Sequence, residues 1–287
     1  MSSPQKTFNF IHCDVFAARP YSGNSLAVIF DSADLSDDQM LAITQELRHF
    51  ESIFLTGNGG KISAKVFDLF EELPFAGHPI IGAACALHRQ SGNSADQHWT
   101  IHLQGGRQVE VSTLHQNGRY WGALDQGRPD MIAQLENAAS FAPLFNLSKT
   151  SDLPAEIIST GLKYLVIPVE GGLKEARITV PDLEERLHHL GAEFAYLFDV
   201  HSFEGRHWNN DGVMEDVATG SAAGVVGAYA LKHGLVPANK SFVLKQGHFI
   251  GRPSEIIVTP YGDCDNVERV TVTGEVSFVG KGEVFEP

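Results

Sequence analysis

Three stretches of this 287-residue chain set groups that can move a proton or hold an anion beside glycine turns or at the start of an apolar strand. In Glu72-Leu-Pro-Phe-Ala-Gly77-His78-Pro79, a glycine delivers a histidine to the amino end of an apolar segment running to about Leu87. In Glu215-Asp216-Val-Ala-Thr219-Gly220-Ser221-Ala-Ala-Gly224, the same arrangement carries a carboxylate, two hydroxyls and backbone N–H groups. The amino end of a helix is electropositive and rich in N–H donors that lack intrahelical partners, so either end suits a substrate carboxylate or phosphate. The second stretch reads equally as the N-capped start of a buried helix whose glycines permit close packing, and His78 as a structural hydrogen-bonding residue. The third feature is Glu51, within Arg48-His-Phe-Glu51-Ser-Ile-Phe-Leu55. Between Phe50 and Ile53 its carboxylate would be partly desolvated, which raises a pKa toward the range of general acid–base work; the other reading is a solvated rim residue.

These residues need a frame, and the chain supplies it twice. Gly23 to Phe30 reads as a strand, and Ser36-Asp-Asp-Gln39 opens a helix with a capping box and an apolar stripe at Met40, Ile43 and Leu47. Strands at Ser52–Thr56 and Ile62–Phe67 then lead to the apolar helix after Gly77. The second half repeats the order. Gly161 to Pro168 is a strand, and Pro181 begins a helix with Leu183, Leu187 and Leu190 that Gly191 stops. Phe194–Val200 is the next strand, and Gly220-Ser221 opens a second apolar helix to about Leu231, with Gly234 beyond it. A helix with no polar face must be surrounded by protein. The expected fold is therefore α+β: two pseudo-symmetric domains, each a largely antiparallel or mixed barrel-like sheet wrapped around a central apolar helix. The two-residue turn Asn117-Gly118 between Gln108–Ser112 and Tyr120–Leu124 marks a hairpin and argues against a doubly wound nucleotide-binding sheet. The expected domains are 1–128, with a C-terminal strand over about 275–287 returning to it, and 129–274. The junction is expected between Pro129 and Leu147, in a stretch that reads as partly helical.

Composition removes several function classes. A formal net charge of −14 with no basic run disfavours nucleic acid as a partner. No apolar stretch is long enough to span a bilayer and the start carries no secretion signal, so no membrane partner and a cytoplasmic location are expected. Cys13, Cys85 and Cys264 are too few and too scattered for a disulfide scaffold or a structural zinc site. The 13 histidines show no ligand spacing, so no metal is expected, and His188-His189 reads as a solvated helix end. Gly220-Ser-Ala-Ala-Gly224 is not a nucleophile elbow, and Gly57-Asn-Gly-Gly60 lacks the lysine of a phosphate loop and reads as a hairpin turn.

Taken in order, Asp14-Val-Phe-Ala through Gly23-Asn24, Phe50-Glu51-Ser52, the His78 motif, the Asp216–Gly224 motif and Gln246-Gly-His-Phe-Ile-Gly-Arg252-Pro253 resemble the PhzF-like phenazine-biosynthesis protein family. The resemblance runs from about Phe8 to the C-terminus. It implies a diaminopimelate-epimerase-like architecture with the active site in the cleft between the domains, a homodimer, and a cofactor-free isomerase. Such an isomerase moves a proton between carbons of a small carboxylate such as trans-2,3-dihydro-3-hydroxyanthranilate. The family's catalytic glutamate, histidine, aspartate and serine match Glu51, His78, Asp216 and Ser221. Physically, Glu51 would shuttle the proton, and His78 and Asp216 would polarise and orient. The amides of Gly77 and Gly220, with the amide and hydroxyl of Ser221, would hold the substrate. Related two-base racemases place a thiol at each helix start; here those positions carry His78 and Ser221, and Cys85 lies inside the helix as a buried apolar group.

Two departures bear on the substrate. Where family members carry Arg-x-Phe-Thr-Pro, this chain has Lys65-Val-Phe67-Asp68-Leu69, and the interval from Trp208 to Glu215 is short. Both are expected beside the cleft. The competing class is a non-catalytic protein that binds a small carboxylate on the same scaffold, since a fold alone does not fix function. Exchange of a substrate C–H proton separates the two.

Overall fold

The computed structural model describes residues 5–57, 61–135 and 137–287; the first four residues and the turn read at Asn58–Gly60 lie outside them. Two compact units divide the chain, one formed by Met1–Leu124 with Thr273–Pro287, the other by Asp125–Val272. Among the described residues no helix is long and apolar enough to cross a membrane.

The first unit runs β1 (Thr7–Val15), β2 (Asn24–Ile29), α1 (Asp37–Leu47), β3 (Glu51–Thr56), β4 (Ile62–Phe67), β5 (Glu72–Leu73), α2 (Gly77–Ser91), β6 (Gln97–His102), β7 (Gln108–Gln116) and β8 (Arg119–Asp125). The order β1-β2-β3-β4-β6-β7-β8 is closed by the C-terminal strand, which pairs with both β8 and β1, so the sheet is an eight-stranded barrel without free edges. Most neighbours are antiparallel, while β2/β3 and β4/β6 are parallel. Inside lies α2, buried from Gly77 through Ala86. Sheet and helix approach closely because the helix carries small residues: a Cβ on Gly82 would lie 2.4 Å from Leu26 Cδ2. Outside, α1 covers the sheet, setting Met40 and Ile43 on Ala27, Ile29 and Phe54. Its capping box forms as the sequence predicts, with Ser36 Oγ accepting from Gln39 N and Gln39 Oε1 from Ser36 N. Asn117 and Gly118 both adopt positive φ between β7 and β8, the turn that matches strand twist.

The second unit contains β9 (Asp130–Leu135), β10 (Ala155–Ser159), β11 (Lys163–Val169), α3 (Leu183–Leu190), β12 (Phe194–Asp199), β13 (Glu204–Arg206), α4 (Gly220–Lys232), β14 (Phe242–Gln246), β15 (Ser254–Gly262) and the start of β16 (Val267–Phe285). Its sheet order is β16-β15-β14-β13-β12-β11-β10-β9. Within it α4 is buried at every position from Gly220 to Leu231. On the outer face α3 and the 3-10 segment Ala138–Phe145 pack on Leu165, Ile167 and Leu197.

Local differences from the sequence reading have local causes. The stretch expected to be partly helical at Pro129–Leu147 divides into β9 and that 3-10 segment, whose Pro143 removes a helical donor. Pro181 precedes rather than opens α3, because Asp182 takes the N-cap position. Barrel closure and neighbour pairing define β1 and β10.

Candidate active site

Glu51 opens β3 opposite Leu26 of β2, and strand alternation places it with Ile53 on the face turned toward α2, while Phe54 points to α1. Its carboxylate is half-buried, with 17% of the side chain exposed. His78, the second residue of α2, brings Nε2 to 3.0 Å from Glu51 Oε2. Its other nitrogen, Nδ1, lies 3.4 Å from the Nδ2 of buried Asn24. An amide nitrogen only donates, so Nδ1 accepts and the ring proton sits on Nε2, beside Glu51. The imidazole thus stands between the Asn24 amide and the Glu51 carboxylate. Gly77 stands as the first residue of α2, whose N-cap Ala76 offers no side-chain cap.

In the second unit the segment before α4 is held by Gln246. Its Nε2 donates to Asp216 O and to Thr219 Oγ1, both at 2.9 Å, while its Oε1 accepts from Thr219 N at 3.1 Å and from Tyr196 OH at 2.9 Å. Every hydrogen-bonding capacity of this buried amide is used, which makes the turn rigid. Thr219 does not cap the helix; its hydroxyl donates to Asp216 Oδ2 at 2.6 Å. The first helical bond is Ala223 N to Thr219 O, so the amides of Gly220, Ser221 and Ala222 stand ahead of it with no side-chain cap. Ser221 Oγ lies 2.8 Å from Tyr164 OH. Gly224 is required one turn into the helix, where Gln126 donates to Gly220 O and accepts from Thr160 Oγ1, because a Cβ there would lie 1.8 Å from Gln126 Oε1.

Electrostatics distinguish the groups around Asp216. Burial pushes the His207 imidazole below its ordinary value, against the opposing influence of Asp216, and its Nδ1 bonds Ala195 O at 2.9 Å. Burial likewise pushes the Tyr196 hydroxyl well up, with Asp216 adding to the shift. Both side chains are therefore neutral at physiological pH. Cys13 and Cys85 are fully buried and their thiols are raised by desolvation, so neither is a ready nucleophile.

Glu51 and His78 are brought to within 3.0 Å of each other, and Asp216, Gly220 and Ser221 lie together on the turn and first residues of α4. Sequence reasoning assigns no role to Asn24, Tyr164, His207 or Gln246; Asn24 and Gln246 stand inside quoted motifs, but only their contacts give them work, and Thr219, read as a hydroxyl at an N-capped helix start, binds Asp216 instead of capping. One expectation is corrected. Lys65 pairs with Phe54 in the sheet, on the face opposite Glu51, and its ammonium binds Asp37 of α1 at 2.5 Å. Asp68 accepts from Phe70 N and Glu71 N in a local turn, both at 2.7 Å. These two departures brace α1 and the turn before β5. The short interval is a tight hairpin in which Trp208 bridges Glu215 and buried Arg206 pairs with Glu215 beneath it. Among the described residues one group of three potential metal ligands occurs, Asp263, Cys264 and Asp265, all exposed in a turn between β15 and β16.

Comparison with known proteins agrees in scope with these elements. The family profile described as phenazine biosynthesis-like protein matches residues 13–282. The chain is 32% identical to a trans-2,3-dihydro-3-hydroxyanthranilate isomerase of Pseudomonas fluorescens, over 96% of this chain and 99% of that protein. Among solved structures, a predicted epimerase from Pseudomonas aeruginosa superposes with a TM-score of 0.89 at 44% identity, covering 96% of this chain and 99% of the other. A hydroxyproline epimerase from Agrobacterium vitis shares the fold with a TM-score of 0.61 at 12% identity, covering 97% and 92%.

Proposed function

The chain belongs to the phenazine biosynthesis-like protein family and is an isomerase of the PhzF type, and from that premise we propose that Glu51 moves a proton between two carbons of a small carboxylate substrate. The observation that carries this reading is the 3.0 Å approach of His78 Nε2 to the half-buried Glu51 carboxylate, with Asn24 behind the ring. A carboxylate that takes a proton from one carbon must hold it as the neutral acid and return it to another. The approach of the imidazole to one carboxylate oxygen leaves the other oxygen to face the substrate. The C–H bond that breaks at the first carbon leaves its electron pair in the substrate's π system, and the bond that forms at the second carbon uses the same proton. No electron acceptor is needed, and the reaction is read as cofactor-independent.

The α4 end supplies the holding function. Amides at Gly220 and Ser221, with the Ser221 hydroxyl, suit a carboxylate oxygen, and Asp216 suits an amine or hydroxyl on the same molecule. Gly77 adds an amide at the α2 end. The relative's name supports trans-2,3-dihydro-3-hydroxyanthranilate, which carries a carboxylate, an amine and a hydroxyl, as the first substrate to test. The test is incubation in D2O followed by proton NMR, with Glu51→Gln alongside. Isomerisation by the wild type and none by the variant is expected, unchanged after dialysis against a chelator; turnover by the variant at the wild-type rate would refute the role of Glu51. A homodimer is part of the same reading, and a solution mass equal to one chain would contradict it.

A further inference from the structure

The Ser221 hydroxyl is not an isolated group. Its one hydrogen-bond partner among the described residues is Tyr164 OH at 2.8 Å, reached from β11, 57 residues away in the chain. Both side chains are buried, Tyr164 at 2% exposure and Ser221 at 8%. The Tyr164 ring packs in a three-ring cluster with Phe194, at 5.5 Å, and His207, which meets it edge-on at 5.6 Å, the latter two also 5.5 Å apart. Its hydroxyl therefore has a fixed position relative to the first turn of α4. A phenol is a far stronger acid than an aliphatic alcohol, so in a phenol–serine pair the better donor is the tyrosine and the better acceptor the serine. That direction leaves the serine's own proton to be donated onward. Two consecutive donors polarise each other, and the second is strengthened when its acceptor is an anion.

We propose that Tyr164 is a positioning residue that donates its O–H to Ser221 Oγ and thereby turns the Ser221 hydroxyl into a dedicated donor to a substrate carboxylate at the start of α4. The proposal rests on the reading of Ser221 as an anion-holding residue. It adds a determinant of substrate class. A carboxylate accepts from Ser221 and from the amides at once, whereas a carboxamide presents one acceptor and a competing N–H donor. The Tyr164–Ser221 pair thus selects for the charged group rather than for the ring that carries it.

The experiment is fluorescence titration with anthranilate, a carboxylate, and with anthranilamide, its neutral counterpart, on wild type, Tyr164→Phe, Ser221→Ala and the double variant. Tyr164→Phe keeps the ring and its packing. Anthranilate affinity is expected to fall about tenfold in Tyr164→Phe, while anthranilamide affinity changes less than about twofold, and the double variant should bind no more weakly than Ser221→Ala. Equal losses for both probes, or additive losses in the double variant, would overturn the Tyr164 role and leave Ser221 as an anion-holding residue. An unchanged anthranilate affinity in Ser221→Ala, or no binding of anthranilate by the wild type, would instead remove the Ser221 reading itself and this proposal with it. Thermal unfolding of each variant shows that the folded protein is being compared.

Discussion

The two buried helices begin differently. At the start of α2 the chemistry is carried by side chains, since His78 contacts Glu51 and is backed by Asn24, while Pro79 removes one of the backbone donors. At the start of α4 three consecutive amides remain without a side-chain cap, the nearest hydroxyl is set by a tyrosine, and the one carboxylate is tied to Thr219. A single architectural device, an apolar helix inside a sheet, thus serves two tasks. On the proposed reading, one end changes protonation state and the other holds a charge without changing its own. The helix field is common to both, and the residues at the first three positions decide how it is used.

The sharpest break in this contrast is functional. Glu51→Gln should lower kcat by about a thousandfold or more while leaving carboxylate affinity intact, and Ser221→Ala should raise KM with kcat little changed, as measured in steady-state assays. If both variants shifted the same constant, the division of labour would be lost. A smaller effect is expected behind the histidine: Asn24→Leu removes the donor that fixes the ring tautomer and should reduce kcat by about tenfold, with Asn24→Asp unable to restore it because a carboxylate cannot donate to Nδ1.

The helix interiors offer a comparison by stability. Gly224→Ala drives a methyl toward Gln126 Oε1 and Gly82→Ala toward Leu26 Cδ2, and each should cost about 1–3 kcal/mol, read as a lower thermal midpoint. Gly224→Ala should also weaken carboxylate binding, because Gln126 holds Gly220 O, whereas Gly82→Ala should not.

The least effect lies at the far ends. α2 finishes with His88 Nε2 against Asn93 O, but α4 finishes with Lys232 and His233 on the buried Glu156 carboxylate. Burial pushes Glu156 up, and the hydrogen bonds from His233 and Lys232 outweigh it, so the carboxyl is held below its ordinary value. A depressed folded value contributes stability that is present above the unfolded pKa of about 4.3 and lost as pH falls through the folded one. Glu156→Gln should therefore flatten the acid side of the stability curve below about pH 5, measured by denaturant unfolding at stepped pH.

Much of this was legible in the residues themselves. The Ser36–Gln39 capping box, the Asn117-Gly118 turn and the two small-residue helices are local signals, because each depends on partners within a few positions or on one segment's own apolarity. Glu51, His78, Asp216 and Ser221 could be singled out by motif, and the phenazine biosynthesis-like family followed from their order. Lys65 shows the limit. Its type and neighbours suggested a place near the substrate, yet which face of a strand a residue occupies is undefined until register is known, and a shift of one position reverses it.

By itself the sequence determined which segments become helices and strands, which helices must be enclosed, and which side chains could carry proton chemistry. Only the tertiary structure decided that Asn24 stands behind His78, that Gln246 knots the turn before α4, and that Tyr164 reaches Ser221. Those partners lie 54, 27 and 57 residues apart. Their meeting depends on how strands are registered around each helix, and strand register is set by the packing of the whole sheet rather than by any residue's own preference.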